Sequence, residues 1–174
     1  TEHAELQREI GADAWANAVG APPDASNVAA KWRWLCRHEP ALANATATVL
    51  LGGHSFVVSR LTGRQVCDPA TASTTGLYEV GAGRWWAPLL GALDIPLPDL
   101  VAATDVAGDL SGDVADELGL PAELPVVHAN GDAVATTVGI VGRDVGRPYA
   151  YLGTSGWVAV GASAPPLDSG VVVL

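Results

Sequence analysis

A chain of 174 residues can bury one ordinary domain core, or parts of two. With 49% apolar and 16% charged residues it reads as a globular protein; no apolar run approaches the roughly 18 residues that cross a bilayer, so no membrane partner is expected. A net charge of -10 with scattered basic residues repels a phosphate backbone, which argues against nucleic acid.

Cys36 and Cys67 supply neither the count of a disulfide framework nor the spacing of a zinc site, and the expected compartment is a reducing cytoplasm. The chain contains no methionine and so no initiator, and it is read as a fragment.

In chain order, residues 1–19 carry Leu6, Ile10 and Trp15 on a helical period, which predicts one amphipathic helix stopped by Gly20 and the prolines after it. Ser26 is the expected N-cap of a second helix whose apolar set is Val28, Trp32 and Leu35, with Pro40 as its end. The β-branched run "TATVLLGG" predicts a strand. It feeds a short helix with Phe56, Val57 and Leu61 on one face and Gly63 as its stop.

"DPATASTT" is small and polar and reads as a loop able to approach a ligand closely. "RWWAPLLGALDIP" predicts a helix, "VAGDL" a strand, and "SGDVADELGLP" a helix begun at Ser111 and stopped at Gly119. "ELPVVHA" is the best candidate for a buried strand, followed by a helix over Val134 to Ile140 and joined to it by a turn holding Asn130, Gly131 and Asp132. "VGRDVGRP" is a connector of the kind that joins domains. "YAYLGTSGWVAVGAS" beyond it predicts a hairpin.

Two places carry chemistry. Gly153, Thr154, Ser155 and Gly156 combine flexible backbone with two hydroxyls, and such a turn can aim several N–H and O–H groups at one anion. The alternative is an ordinary tight turn. A serine-hydrolase reading fails, because the nucleophile elbow needs glycine where Trp157 stands. Asp132 lies beside Gly131 near a helix N-terminus, where the dipole and free N–H groups favour negative charge, so it could take a proton from a hydroxyl. Its alternative role is plain N-capping.

His3, His38, His54 and His128 lack metal-type spacing, which predicts surface or helix-end positions. The acidic residues from Asp105 to Glu117 read as a solvated face. The pairs Trp32 with Trp34 and Trp85 with Trp86 read as core or interface fillers rather than sugar-stacking platforms.

Taken in order, four segments resemble the FGGY carbohydrate kinases. "AKWRWLCRHEP" is similar to the family's K-x-x-W-L-x-x-x-E-P segment, and "RLTGRQVCDPATAST" to its L-T-G-x-x-x-T-D-x-S-x-A-S segment; "ANGDAVATTVG" and "YLGTSGWVAV" complete the set. The resemblance implies an α/β protein with the actin-like (ribonuclease H-like) ATPase fold and an active site in the cleft between two domains.

Residues 1–142 would then be the latter part of the sugar-binding first domain, and residues 143–174 the first hairpin of the ATP-binding second domain. It implies ATP and Mg²⁺ as cofactors and a sugar or polyol, with a pentulose favoured, as substrate. By the same resemblance Asp132 is the general base, Gly131 and Asp132 touch the substrate, Asp132 reaches the metal through water, and Gly153, Thr154, Ser155 and Gly156 hold the ATP phosphates.

The chain departs from the pattern at Val28, at Cys67 and at Ala133, which stands where the family often has an Asn or Gln that helps bind the polyol. The family's opening D-x-G-T hairpin, early sugar-contact segment and late glycine pair have no counterpart in these residues. That absence, with Ala133, motivates the alternative of a non-catalytic sugar-binding or protein-interaction module. Exposed edge strands of such a piece could also pair two copies as a homodimer.

Overall fold

The computed structural model describes residues 1–154, 156–164 and 171–173. The first segment is two helices rather than one: α1 spans Glu2–Ile10 and α2 spans Ala12–Val19. Gly11, at φ 89°, makes the break, donating its N–H to Gln7 and accepting from Trp15. Only a glycine adopts that angle without strain. The bend lets Leu6 and Trp15, on different helices, both reach 0% exposure in one core.

Helix α3, Val28–His38, buries Ala29, Ala30 and Trp32. Its N-cap position is Asn27, not Ser26, and Val28 donates its N–H to the Thr75 carbonyl. Trp32 enters the core with its indole N–H donated to the Leu93 carbonyl at 3.0 Å, whereas Trp34 is exposed and stacks on His38. Pro40 does more than end α3. It opens a further helix, α4, Pro40–Ala45, where its missing N–H costs nothing.

The strand expected after it does not form. Residues 46–51 are irregular, tied to the rest by Val49 N–H to the Pro96 carbonyl, and β-branched character without a neighbouring strand makes no ladder. Helix α5, Gly53–Thr62, ends at Gly63 as expected. Its buried face is Ser55 and Val58, while Phe56 and Val57 are exposed.

Strand β1, Val66–Cys67, pairs in parallel with β4, Asp99–Leu100. Between them, "DPATASTT" is a helical turn rather than a loop: α6, Pro69–Ser73, is capped by Asp68, whose Oδ1 accepts the Thr71 N–H at 3.0 Å. An acid followed by proline is a start signal that the polar composition obscured.

Next, β2, Tyr78–Glu79, and β3, Arg84–Trp85, form an antiparallel pair, so the helix expected from Arg84 begins only at Ala87, as α7, Ala87–Leu93. Strand β5, Val106–Asp109, pairs antiparallel with β6, Pro125–Val127, and α8, Gly112–Leu118, connects them. Pro125 and Val127 are exposed, so β6 is not the buried strand expected. It belongs to a two-stranded pair and is covered on one side by α5.

Helix α9, Asp132–Val141, starts two residues earlier than expected and takes Asp132 out of the turn. The hairpin is present as β7, Pro148–Leu152, and β8, Gly156–Val160, in a five-pair antiparallel ladder.

The main core joins α1, α2, α3 and α7 around Leu6, Trp15, Trp32, Leu77, Trp86 and Leu89. Trp15 and Trp86 meet at 6.5 Å between ring centroids. A second cluster around Cys67, Ala72 and Tyr78 lies under α6, and a third, Val58, Val66 and Ala107, lies under α5. These clusters fix α5 and α6 as the platform beneath the start of α9. No helix of the described residues is long and apolar enough to cross a membrane.

Candidate functional site

Three chain segments, far apart in sequence, converge on one pocket of about 370 Å³. Gly52 and His54 come from the start of α5, Thr71 from α6, and Gly131 and Asp132 from the start of α9. Asp132 is exposed at the first position of its helix, and its Oδ1 accepts the Ala133 N–H at 2.8 Å. Oδ2 has no hydrogen-bond partner among the described residues, and Asp132 lines the pocket. Gly131 stands at the N-cap position and lies against Thr71: a Cβ placed on it would sit 3.5 Å from Thr71 Oγ1. The glycine keeps α6 and α9 close at the pocket floor.

Beneath the pocket lies a polar cluster that sequence spacing did not reveal. Asp68 is fully buried, and His54 donates from Nε2 to its Oδ2 at 2.9 Å, with Thr71 Oγ1 3.2 Å from the same nitrogen. His128, 1% exposed, donates from Nδ1 to the Ala129 carbonyl at 2.8 Å, and its Nε2 faces Ser55 Oγ at 3.4 Å. The two imidazoles meet edge to face at 5.1 Å.

His128 thus leaves the surface or helix-end position expected for it, whereas His54 stands at a helix end, in the first turn of α5. His54 and Asp68 are 14 residues apart and His128 is 60 further on, so no local spacing could announce the group. The readable signals were the acid before Pro69 and the histidine closing a β-branched run.

Burial pushes the Asp68 carboxyl up, but the hydrogen bonds from His54 and Thr71 outweigh it and hold the group below the ordinary carboxylate range. Burial, and then the adjacent Asp68 charge, pushes the Cys67 thiol up to about 12, which leaves it inert as a nucleophile.

The three donors His54, Asp68 and His128 lie within 4.8 Å of one another, a set that could hold a divalent ion. The hydrogen bonds argue otherwise: the facing nitrogens, His54 Nε2 and His128 Nδ1, both carry protons toward oxygen acceptors. A ligating nitrogen needs its lone pair there, and the cluster is a hydrogen-bonded network.

Of the other expected site residues, Gly153, Thr154 and Gly156 form the exposed tip of the β7–β8 hairpin, and Ser155 lies outside the described residues. A Cβ on Gly156 would stand 3.0 Å from the Tyr151 carbonyl oxygen, so the tight closure needs glycine there. None of these three residues lines the pocket of Asp132.

A larger apolar cavity of about 670 Å³ lies along α3 and shares Gly52, Thr71 and Thr74 with that pocket. Its walls include Lys31 and Trp34, but it lacks a carboxylate and is the weaker candidate for chemistry.

Comparison with known proteins bears on the family and the fold. Residues 1–139 match the N-terminal domain of the FGGY family of carbohydrate kinases. A xylulose kinase from Streptomyces rubiginosus is 34% identical over 168 residues, covering 95% of this chain and 34% of the relative. A glycerol kinase from Thermococcus gammatolerans is 32% identical over 160 residues, covering 88% of this chain and 31% of the relative. The crystal structure of a xylulose kinase from Rhodospirillum rubrum superposes with a TM-score of 0.86 at 30% identity, over 94% of this chain and 35% of that one.

The chain therefore spans about a third of the length of the relatives it matches. Its α/β architecture is the actin-like kinase fold expected from the four motifs. On the family match and these relatives together, the chain belongs to the FGGY family of carbohydrate kinases.

Proposed function

We propose that this chain forms part of an ATP-dependent kinase that phosphorylates a hydroxyl of a sugar or polyol, with a pentulose favoured, and that Asp132 is the general base. The observation that carries the reading is the position of Asp132: an exposed carboxylate, one oxygen held by Ala133 N–H, in the wall of a small pocket. A hydroxyl held there can pass its proton to Oδ2 as its oxygen attacks the terminal phosphorus. Phosphoryl transfer asks little more of a protein than this positioning and charge stabilisation. The pocket's volume suits a molecule of three to five carbons, and the xylulose kinases among the relatives support the pentulose.

Asp132 is also the residue that fits Mg²⁺, since a hard carboxylate oxygen with no other partner suits contact through a water ligand. When bound, the ion neutralises charge on the phosphate oxygens. Gly153, Thr154, Ser155 and Gly156 are assigned to the ATP phosphates, supported by the exposed backbone and hydroxyl at the hairpin tip. A division near residue 142 between sugar-binding and ATP-binding domains is supported by the family match stopping at residue 139. Two unpaired thiols, Cys36 and Cys67, fit a cytoplasmic enzyme.

The alternative of a non-catalytic sugar-binding module draws on one observation, that Gly153, Thr154 and Gly156, the described residues of the hairpin tip, do not line the Asp132 pocket. The two readings separate on Asp132→Asn in the full-length protein, assayed with xylulose, ribulose and glycerol. Loss of about a hundredfold or more in kcat with sugar binding retained supports the base. Unchanged turnover removes Asp132 from the role, and a wild-type protein that binds sugar without consuming ATP supports the module.

A further inference from the structure

His54 shares its pocket with Asp132, yet none of the four motifs gives it a part in the reaction. Its ring is fixed from behind. Nε2 donates to the fully buried Asp68, and Asp68 is itself locked by the Thr71 N–H as the cap of α6. On a neutral ring this leaves Nδ1 as a lone-pair acceptor, and no partner for it occurs among the described residues.

The Nδ1 edge lies over Gly52: a Cβ on that residue would stand 2.8 Å from His54 Cε1 and 3.1 Å from Nδ1. Gly52 is at φ 81°, so the backbone there both demands glycine and leaves the space the ring fills. The side chain retains 24% exposure, which opens it to the pocket. A buried carboxylate, an imidazole and an open pocket in sequence form a device for holding an acceptor nitrogen at a fixed point.

We propose that His54 is a positioning residue for the sugar or polyol: its Nδ1 accepts a hydrogen bond from a substrate hydroxyl other than the one Asp132 deprotonates. With Ala133 offering no polar group beside the base, a second fixed contact must come from elsewhere on the pocket wall, and His54 supplies it. The proposal deepens the kinase reading and rests on it for the identity of the ligand.

The test measures binding apart from turnover. D-xylulose and glycerol are titrated calorimetrically into the full-length protein carrying Asp132→Asn, alone and combined with His54→Ala or His54→Asn. The expected result is a loss of roughly 5- to 20-fold in affinity for at least one of the two with His54→Ala. The asparagine variant, whose side-chain oxygen can accept in place of Nδ1, should recover part of it. The thermal midpoint should fall in both His54 variants, because buried Asp68 loses its His54 partner. Affinity for ATP should stay as in the parent while sugar affinity separates the two variants, which a merely structural role would not allow.

Sugar affinity unchanged in His54→Ala overturns the proposal, as does a parallel fall in sugar and ATP affinity, equal sugar affinity in the two His54 variants, or failure of both sugars to bind the parent. The kinase reading fails differently. A wild-type protein that binds D-xylulose through His54 but transfers no phosphate refutes the kinase and leaves His54 in place.

Discussion

The helical core and the C-terminal hairpin both carry large apolar side chains and end in opposite states. Leu6, Trp15, Leu77 and Leu89 reach 0% exposure because helices from distant parts of the chain cross over them. In the hairpin Leu152 is 88% and Val158 79% exposed, and its order rests on the five-pair ladder, the stacked rings of Tyr151 and Trp157, and a polar tether. In the tether the Tyr149 hydroxyl lies 2.7 Å from Thr137 Oγ1 on α9 and accepts the Trp157 indole N–H at 2.9 Å. Long-range burial therefore carries the first region and local pairing the second. The pocket lies at the edge of the first region, on α5 and α6, with Gly131, Asp132, Ala133 and Val134 delivered by the helix that leads toward the second.

The difference is sharpest under truncation. Trp15→Ala should cost about 3–5 kcal/mol, read as a fall in the urea midpoint at unchanged slope, because an interior filled by a large ring cannot collapse around the loss. Trp15→Phe should cost distinctly less than the alanine variant, since the indole N–H it removes is buried without a hydrogen-bond partner.

Asp68→Ala comes next, at about 2–4 kcal/mol, from unpairing the His54 imidazole and the Thr71 N–H under the pocket floor. Its pH dependence follows from sign. The folded state holds the Asp68 carboxyl below its ordinary value of 3.8, so the associated stability is fully present above that pH and is lost as pH falls through the lower folded value. Urea midpoints of the wild type should therefore decline below about pH 4, and Asp68→Asn should decline less steeply over the same window.

What could be read from the chain beforehand divides along the same line. Local signals held at several single-residue stops: Gly63 and Gly119 stop α5 and α8, and Gly153 and Gly156 mark the hairpin, whereas Ser26 gave way to Asn27 as the N-cap position of α3. The four family motifs gave the fold, and the residue pattern put Asp132 in the turn just before a helix expected from Val134, two residues after the position where α9 begins.

Expectations failed where partners decide. A β-branched run at residues 46–51 found no neighbouring strand, and β6, apolar enough to be central, is exposed in a two-stranded pair. Gly11 split a continuous helical period because two buried side chains had to meet, a demand that no window of sequence contains. The largest omission in the site, the cluster of His54, Asp68 and His128, is of the same kind: three elements bring it together, and no spacing encodes it.

The smaller effects belong to the hairpin. Tyr149→Phe removes the hydroxyl that joins Thr137 to Trp157, a loss of about 1 kcal/mol if the tether holds the hairpin to α9. Trp157 emission reports it directly, since its indole N–H loses its acceptor and the Tyr151 ring is its remaining close partner.

Val158→Thr should change stability by less than about 0.5 kcal/mol, because a side chain 79% exposed has little burial to lose and threonine keeps the β-branched shape. Measured in the full-length protein, the same substitution tests the comparison itself. An effect as small as the exposure implies would confirm that this face stays open to solvent, whereas a loss above about 1.5 kcal/mol would mean that Val158 is covered there and that the hairpin shares the long-range burial of the helical core.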